Sequence, residues 1–491
     1  MESPIVGPRA LAMGGTGVAS SDDYVAQYYN PAGFGFFGYT QSGTEDGRVP
    51  SDNQNLQRKD WGMGLDVTAG AHIVGNLGTY LNDVLKIDVD KLQNLGRTGN
   101  TNQAVLNDAV TALAALSTFD PDRDGVLVDV NAGYGLRIAH FGIGVRGYGQ
   151  AVGKIQDLDT THIGITLDNT TSVTEQINNI NSGAPVGYTP QKLTSAQQTS
   201  IANALTQANV TQGVAAPTAG ELASAIQKID YAVAQAGIDD AAIQGVVDQL
   251  NTLTQSSVSN FRFGTNDTKL RMVGLSVVEI PVSYGYAFDD HFSIGGSLKY
   301  MLGRVYGLDV PLFDTESNKK FADYLSDADN QYRQTSTAGI DLGVQARWSL
   351  IQLGLTGRNL NAPSFKAPSG FKDQRLDPQV AAGVALIPCQ YVTLAVDGDL
   401  TRSDSILPGR DHQRVGTGLE VSVWRVVDLR AGVSRNIAES DDKLLYSGGV
   451  GLNLYALRID LAGQATTDTV TYDGKDYPTE ARASLAIATD W

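Results

Sequence analysis

The chain has 491 residues, with 54 glycines, 20 tyrosines, one cysteine (Cys389) and a net charge of −17. That charge argues against nucleic acid as a partner, a single cysteine permits no intrachain disulfide, and no apolar run is long enough for a membrane-spanning helix. A membrane barrel is not excluded, because its segments are short and alternating. Met1 is followed directly by Glu2-Ser3-Pro4 and not by a leader. An exported protein needs one, so the sequence is read as a mature chain with an added Met.

The first forty residues are glycine-rich but carry no nucleotide fingerprint. After Gly14-Gly15-Thr16-Gly17, Ser20 stands where a third glycine belongs, and no Gly-Lys-Ser/Thr follows. The run is a tight loop that glycine permits. Asn30-Pro31 is a helix stop, since proline restricts the residue before it. Phe34, Phe36 and Phe37 then offer apolar surface, either to begin a strand or to wedge the segment in place. Residues 41–60 are polar and turn-rich. Trp61 to Ile73 alternates, with Trp61, Met63, Leu65 and Val67 on one face and Asp66, Thr68 and His72 on the other.

Residues 76–117 turn helical, with Leu77, Leu81, Leu85 and Leu92 near a 3.6 period. Asp120, Asp122, Asp124 and Gly125 follow, the front half of a calcium loop, but Asn131 stands where the bidentate glutamate belongs. Calcium and a plain acidic turn both remain open, and no other cofactor is required. Val126 to Ile138 and Phe141 to Val152 form a strand pair, the second carrying Gly142, Gly144, Gly147 and Gly149, a pattern that marks kinks or close approaches. Residues 154–267 break the pattern. Thr218 with Glu221 makes a capping box, and Leu222, Ile226, Ile229 and Val233 line one helical face, as do Ile243, Val246, Val247, Leu250 and Leu253. These faces predict helices packed on each other or on a rim, with contact to a partner protein or to the membrane surface as the alternatives.

From residue 268 strands run to the end: Leu270 to Phe288, His291 to Val305, Thr335 to Trp348, Ile351 to Asn359, Pro378 to Ile387, Tyr391 to Leu400, Arg414 to Trp424, Val427 to Asn436, Leu444 to Leu454, Leu457 to Ala465 and Thr479 to Trp491. Tight connections (Asp289-Asp290, Ser349-Leu350, Pro388-Cys389, Arg425-Val426, Tyr455-Ala456) alternate with long ones. Short turns at one end, longer loops at the other and about 14 strands, an even number, describe an all-β transmembrane antiparallel barrel. The polar faces carry both signs of charge strand after strand, among them Asp66, Arg146, Lys299, Asp397, Glu420, Arg430 and Asp460, while Trp61, Trp348, Tyr391, Tyr455 and Trp491 stand near strand ends. That fits a charged lumen and aromatic girdles better than a soluble sandwich. No catalytic constellation is present: the five histidines are scattered, and Asp397 and Asp399 share a face as charged lumen residues commonly do.

The stretch from Gly7 to Phe34, with Arg9-Ala10-Leu11-Ala12-Met13-Gly14-Gly15, Asp22-Asp23 and Asn30-Pro31-Ala32-Gly33, resembles the amino-terminal plug of the FadL superfamily, which includes fatty-acid transporters, PorV-type secretion barrels and TraF-like barrels. The resemblance implies a Gram-negative outer-membrane barrel of residues 61–491. It implies a plug and lead-in at 1–60, and lipid and lipopolysaccharide around the wall. It does not cover residues 154–267; with every tight turn on the periplasmic side, the helical insertions at 74–123 and 154–267 are expected to be extracellular. It further implies a hydrophobic ligand or detergent in the lumen beside the plug residues, including Phe34, Phe36 and Phe37, and sideways release at a kinked strand, for which the Gly142–Gly149 strand is the candidate. The alternative within the same superfamily is a docking or assembly factor whose extracellular partner binds residues 154–267. A continuous apolar pocket beside Phe34–Phe37 predicts transport. A filled, ion-paired lumen predicts docking.

Overall fold

The computed structural model describes the chain apart from residues 2, 22, 37–60, 76–105, 109, 112, 115–122, 160–171, 182, 239, 256–266, 312–330, 425, 455, 473–474 and 491. Alternation of side chains dictates two-faced strands, and among the described residues 14 of them close into one antiparallel barrel. In chain order these are β1 (Trp61–Val74), β2 (Gly125–Ile138), β3 (Phe141–Gln156), β4 (Lys269–Ala287), β5 (Phe292–Pro311), β6 (Tyr332–Arg347), β7 (Ile351–Arg358), β8 (Gln379–Cys389), β9 (Val392–Asp399), β10 (Arg414–Val423), β11 (Val427–Asn436), β12 (Leu445–Leu454), β13 (Leu457–Thr466) and β14 (Glu480–Asp490). Each pairs with its neighbours in sequence, and β14 pairs with both β13 and β1, from Gly62↔Asp490 to His72↔Glu480. Among the described residues the ring has no edge strand, the condition hydrocarbon imposes.

The faces sort as the alternation requires. Leu65 and Val67 are exposed on the outside, while Asp66 and Thr68 between and beside them are 1% exposed. Ile143, Val282, Leu298, Val344, Leu394 and Ile487 continue the apolar outer band around the ring. Aromatic rings gather at the tight-turn end of that band: Phe141 packs on Tyr284 at 4.7 Å and Phe292 on Trp348 at 5.7 Å between centroids. This is the girdle expected where an apolar band meets an interface.

Most strand ends differ from the sequence expectation by at most two residues; β6 begins at Tyr332, three residues before the expected Thr335, and two departures have larger consequences. β3 and β5 continue to Gln156 and Pro311, beyond the expected Val152 and Val305, so the wall is tallest there. Pro388-Cys389 is strand and not turn; the pairing slips between Leu386 and Cys389, and the reversal falls at Gln390-Tyr391. A bulge absorbs the extra residue and postpones the turn.

Among the described residues between β3 and β4 are four helices, Val173–Asn179, Ser195–Gln212, Ala219–Gln235 and Asp240–Gln255. The capping box at Thr218 and Glu221 is present, and a second one joins Thr194 to Gln197. Ile201, Leu205, Ile229, Val233, Ile243 and Val247 form their core, and Leu106, Val110 and Leu113 from the insertion between β1 and β2 join it. Two insertions far apart in sequence therefore fold as one helical unit. The helical expectation for Leu77, Leu81, Leu85 and Leu92 lies outside the described residues.

Asp230 is buried in this unit and ties down the loop before the second helix: its carboxylate accepts from the Tyr188 hydroxyl at 2.6 Å and from the amides of Gln191, Lys192 and Leu193 at 2.6–2.9 Å. Burial first, then the hydrogen bond to Asp230 and its charge, push the Tyr188 phenol from 10.0 up to about 12. A raised folded pKa means that the stabilisation is complete below pH about 10 and is lost as pH rises through about 12. Amide exchange of residues 188–193 is therefore expected to accelerate over that window beyond its intrinsic rise, and Tyr188→Phe is expected to remove the excess.

Candidate functional site

The segment Met1–Phe36 runs inside the ring, as a short helix Pro8–Ala12, another at Ala26–Tyr29 and a 3-10 turn at Pro31–Phe36. Its side chains and backbone meet the wall on nearly every side. Tyr24 lies on Gly64 and Gly135, Phe34 on Gly142, Pro31 on Gly295, Val18 on Gly354, and Gly14 on Gly416 and Gly432. A methyl group at Gly416 would sit 2.0 Å from the Gly14 carbonyl oxygen, so glycine there permits backbone to touch backbone.

Charge fixes the segment in register. In positions 3–44 the only charged residues are Arg9, Asp22 and Asp23. The Arg9 guanidinium donates to both oxygens of Glu420, at 3.1 and 3.2 Å, and to the Ser20 carbonyl. Glu420 also accepts from Arg430, which reaches Asp460 at 2.6 Å; Asp460 accepts from Arg458 at 2.7 Å, and Arg458 donates to Asp23 at 2.9 Å. One chain of alternating charges thus leaves the segment at Arg9, crosses β10, β11 and β13, and returns at Asp23. Fully buried ions are tolerated only when paired in this way. The opposite side of the lumen holds Arg146 against Asp66 at 2.8 Å, and Lys299 against Asp341 at 2.9 Å.

Asp397 and Asp399 face no reacting group. Asp397 Oδ2 accepts from the amides of Gly17 and Val18, at 2.6 and 2.7 Å, and Asp399 accepts from the Arg414 amide. The Gly14–Gly17 loop is thus folded around a wall carboxylate. Asn30 works as a clasp. Its Nδ2 donates to the Val18 and Val344 carbonyls, both at 3.0 Å, while its Oδ1 accepts from Ala32. Pro31, Ala32 and Gly33 turn the chain beneath it, and Ser293 donates to the Ala32 carbonyl. Phe34 is fully buried, and Phe36 lies under the Arg347 guanidinium at 3.8 Å. Phe37 lies outside the described residues. Phe34 and Phe36 are both packed against the wall, Phe34 on Gly142 and Phe36 on Arg347. A cavity of about 40 Å³ lies at the loop end among His72, Asp129, Arg410, His412, Glu480 and Arg482, which is room for a few waters only.

The four glycines of β3 divide between faces. Gly142 and Gly144 point inward; Gly147 and Gly149 do not, and nothing lies within 4 Å of Gly147. The pairing of β3 with β4 runs from Phe141↔Tyr284 to Ile143↔Val282 and resumes at Arg146↔Glu279, so it passes over Gly144 and Val145 opposite Pro281 and Ile280. Pro281 has no amide hydrogen to contribute. Its carbonyl is satisfied from within by Gln27 Nε2 at 3.2 Å. A cavity of about 10 Å³ at this point touches Gln27 and Tyr28 inside and Tyr134 and Val145, both exposed outside. The β3–β4 ladder is interrupted here, and Gln27 of the inner segment covers the interruption.

Of the acidic run, Asp120 and Asp122 lie outside the described residues, and Asp124 is buried against Gly75. Among the described residues no three metal-ligating side chains gather.

Closed ring, apolar outer band and charged, filled interior define a 14-stranded antiparallel β-barrel whose lumen is occupied by its amino-terminal segment. The chain belongs to the family described as "F plasmid transfer operon, TraF, protein", whose model matches residues 114–399. The resemblance read from the first 35 residues and the family match over the wall therefore agree. Among solved structures, the toluene transporter TbuX of Ralstonia pickettii is similar at 12% identity, covering 99% of this chain and 98% of that one with a TM-score of 0.44. A FadL homologue of Pseudomonas aeruginosa is similar at 11% identity, with 99% of each chain covered and a TM-score of 0.42. The toluene transporter TodX of P. putida is similar at 10% identity, with 99% and 98% covered and a TM-score of 0.44. At such identities and scores these likenesses say nothing about what this chain binds. No curated protein sequence matches it.

Proposed function

We propose that the protein sits in the outer membrane, its apolar band against lipid and lipopolysaccharide, and serves there as a closed docking or assembly barrel for a transfer, secretion or surface apparatus. The observation that supports this is the lumen: it is filled by Met1–Phe36 and tied to the wall through ion pairs at Arg9 and Asp23. The long loops and the helical unit face outward from the cell and present the surface to the partner. A greasy guest gains roughly 25 cal/mol per Å² only against apolar walls; the wall around the inner segment carries ion pairs, and the apolar inner face at Leu275, Val277, Met301 and Val305 is already covered by Phe365. Purified protein in planar bilayers is expected to conduct no ions and to retain no apolar guest in native mass spectrometry. Deleting residues 173–255 is expected to leave the barrel inserted while abolishing assembly of the apparatus. A guest carried through purification, or assembly that proceeds without the helical unit, overturns the reading.

A second reading, uptake of hydrophobic small molecules, has its own observation, the unpaired stretch of β3 and β4 stopped by Gln27. On that reading molecules leave sideways between Gly144-Val145 and Ile280-Pro281 once Gln27 withdraws. Gln27→Ala is expected to raise entry of an apolar dye into vesicles severalfold, whereas an unchanged rate counts against passage at this point.

A further inference from the structure

The outer wall carries almost no charge, and what it carries has one sign. Alternation puts every second residue of a strand outside. Across β1 to β14 the charged residues at those outward positions are Arg304 on β5 and Arg435 on β11. No aspartate, glutamate or lysine stands among them, although the chain as a whole carries −17. Inward positions at the same end hold acids, among them Asp129, Asp309, Asp399 and Glu480. Both arginines lie toward the long-loop end of the wall, where a third, Arg402, stands exposed just beyond β9.

Arg402 and Arg435 flank Gln413. Arg435 stands opposite Val415 on β10, and Gln413 precedes Val415 by two positions on the same face. Arg402 Nε donates to Gln413 Oε1 at 3.3 Å. The Arg435 guanidinium is held by backbone: Nε donates to the Asp442 carbonyl and Nη2 to the Ser440 carbonyl, both at 3.0 Å. Uncharged acceptors position a guanidinium without neutralising it. The carboxylates of the adjoining loop are engaged elsewhere, Asp441 and Asp442 with Arg410, and Glu439 with Arg123 and the Asp411 amide. Among the described residues neither Arg402 nor Arg435 forms an ion pair, and both Nη atoms of Arg402 and Nη1 of Arg435 have donors to spare. Beside and below them on the outer face are exposed apolar side chains, Val396, Leu400, Val415 and Tyr446.

Two cations fixed by uncharged groups over an apolar wall suit a phosphate that carries acyl chains. Guanidinium N–H groups match phosphate oxygens in pairs, and the chains continue onto the band. We infer that Arg402 and Arg435, with Gln413 between them, bind the phosphate of an anionic lipid in the outer leaflet, its chains lying on Leu400, Val415 and Tyr446. Because Arg435 is seated on the carbonyls of Ser440 and Asp442, the lipid braces the loop whose Asp441 and Asp442 hold Arg410 at the mouth. It thereby steadies the face offered to a docking partner. The inference rests on the outer-membrane reading and deepens it; whether the lumen passes anything does not enter.

The test uses the full chain in detergent, with native mass spectrometry to count bound lipid. Diphosphoryl lipid A is expected to form a saturable adduct, and its fully dephosphorylated form is not. Arg402→Gln with Arg435→Gln is expected to weaken the adduct by about tenfold or more while the gel shift of a closed barrel on heating is retained. Arg402→Lys with Arg435→Lys keeps the charge and loses the fork, so an intermediate loss is expected; it carries the test if the glutamine pair fails to fold. Arg304→Gln, at a single cation stacked over Tyr332 at 5.1 Å, is expected to leave the adduct unchanged. Equal binding of the dephosphorylated lipid, an equal loss in Arg304→Gln, or displacement of the adduct by inorganic phosphate overturns the site. A chain that never fractionates with outer membranes sinks the membrane reading; one that does, and whose glutamine pair binds lipid A as the wild type does, sinks the site and leaves the location standing.

Discussion

Arg9→Ala is expected to loosen the inner segment and destabilise the protein by about 3–5 kcal/mol, the cost of leaving a buried ion without its partner. Glu420 is the ion concerned. In the folded protein it accepts a two-point contact from Arg9 and a further contact from Arg430, and it is 4% exposed. Removing Arg9 leaves Arg430 to neutralise Glu420, but Arg430 already serves Asp428 and Asp460. One carboxylate of the three is then short of a cation in a medium that hydrates it poorly. Arg9→Lys keeps the charge and loses the fork, so a smaller effect is expected. Asp23→Ala removes the other end of the same charge chain. Because Arg9 and Asp23 are joined through Glu420, Arg430, Asp460 and Arg458, the double variant is expected to depart from additivity. Thermal unfolding in detergent measures the loss, and protease cleavage within residues 1–36 measures release from the lumen. A wild-type melting temperature in Arg9→Ala would show that the ion pairs merely fill space.

Asp230→Ala is the second large effect, and it is confined to the helical unit. The carboxylate gathers three backbone amides and one phenol, and Asp230 itself is 0% exposed. Unsatisfied buried donors cost about 1–3 kcal/mol each. Water reaches part of this loop, so a total of about 3–5 kcal/mol is expected and not the full sum. Asp230→Asn is the informative companion. Oδ1 serves Tyr188 and Gln191, and Oδ2 serves Lys192 and Leu193. An amide has one acceptor and one donor, so it satisfies one pair and opposes the other, and it is expected to recover about half of the loss. Hydrogen exchange at residues 188–193 should rise in both variants while the barrel strands keep their protection. Equal loss of protection in β4 and β5 would mean that the helical unit and the wall unfold together.

The period of two in the strands is local and strong, and it suffices to place the wall. The inward turn of Asp66 and Arg146, the outward turn of Leu65 and Ile143, and the even strand number follow from alternation and from where Gly, Pro and Asp interrupt it. The helix faces and the Thr218 cap are legible for the same reason, because a side chain's neighbours three and four residues away are written beside it. The displaced turn at Cys389 shows the limit: a bulge adds a residue without changing the composition on either side.

What the tertiary structure alone decided is which distant residues meet. Arg9 and Glu420 are 411 positions apart, and Asp23 and Arg458 are 435 apart. The sparse charges of the amino-terminal segment signal that partners are needed, but every strand of a charged lumen offers candidates, and only ring closure selects among them. The connection between β7 and β8 reads as an ordinary polar loop, since nothing in its own sequence says that Gly303 and Gly307 on β5 leave room for its Phe365 and Phe371 rings. Periodicity is a property of one segment and survives in the sequence; complementarity belongs to two surfaces and exists only once the chain has brought them together.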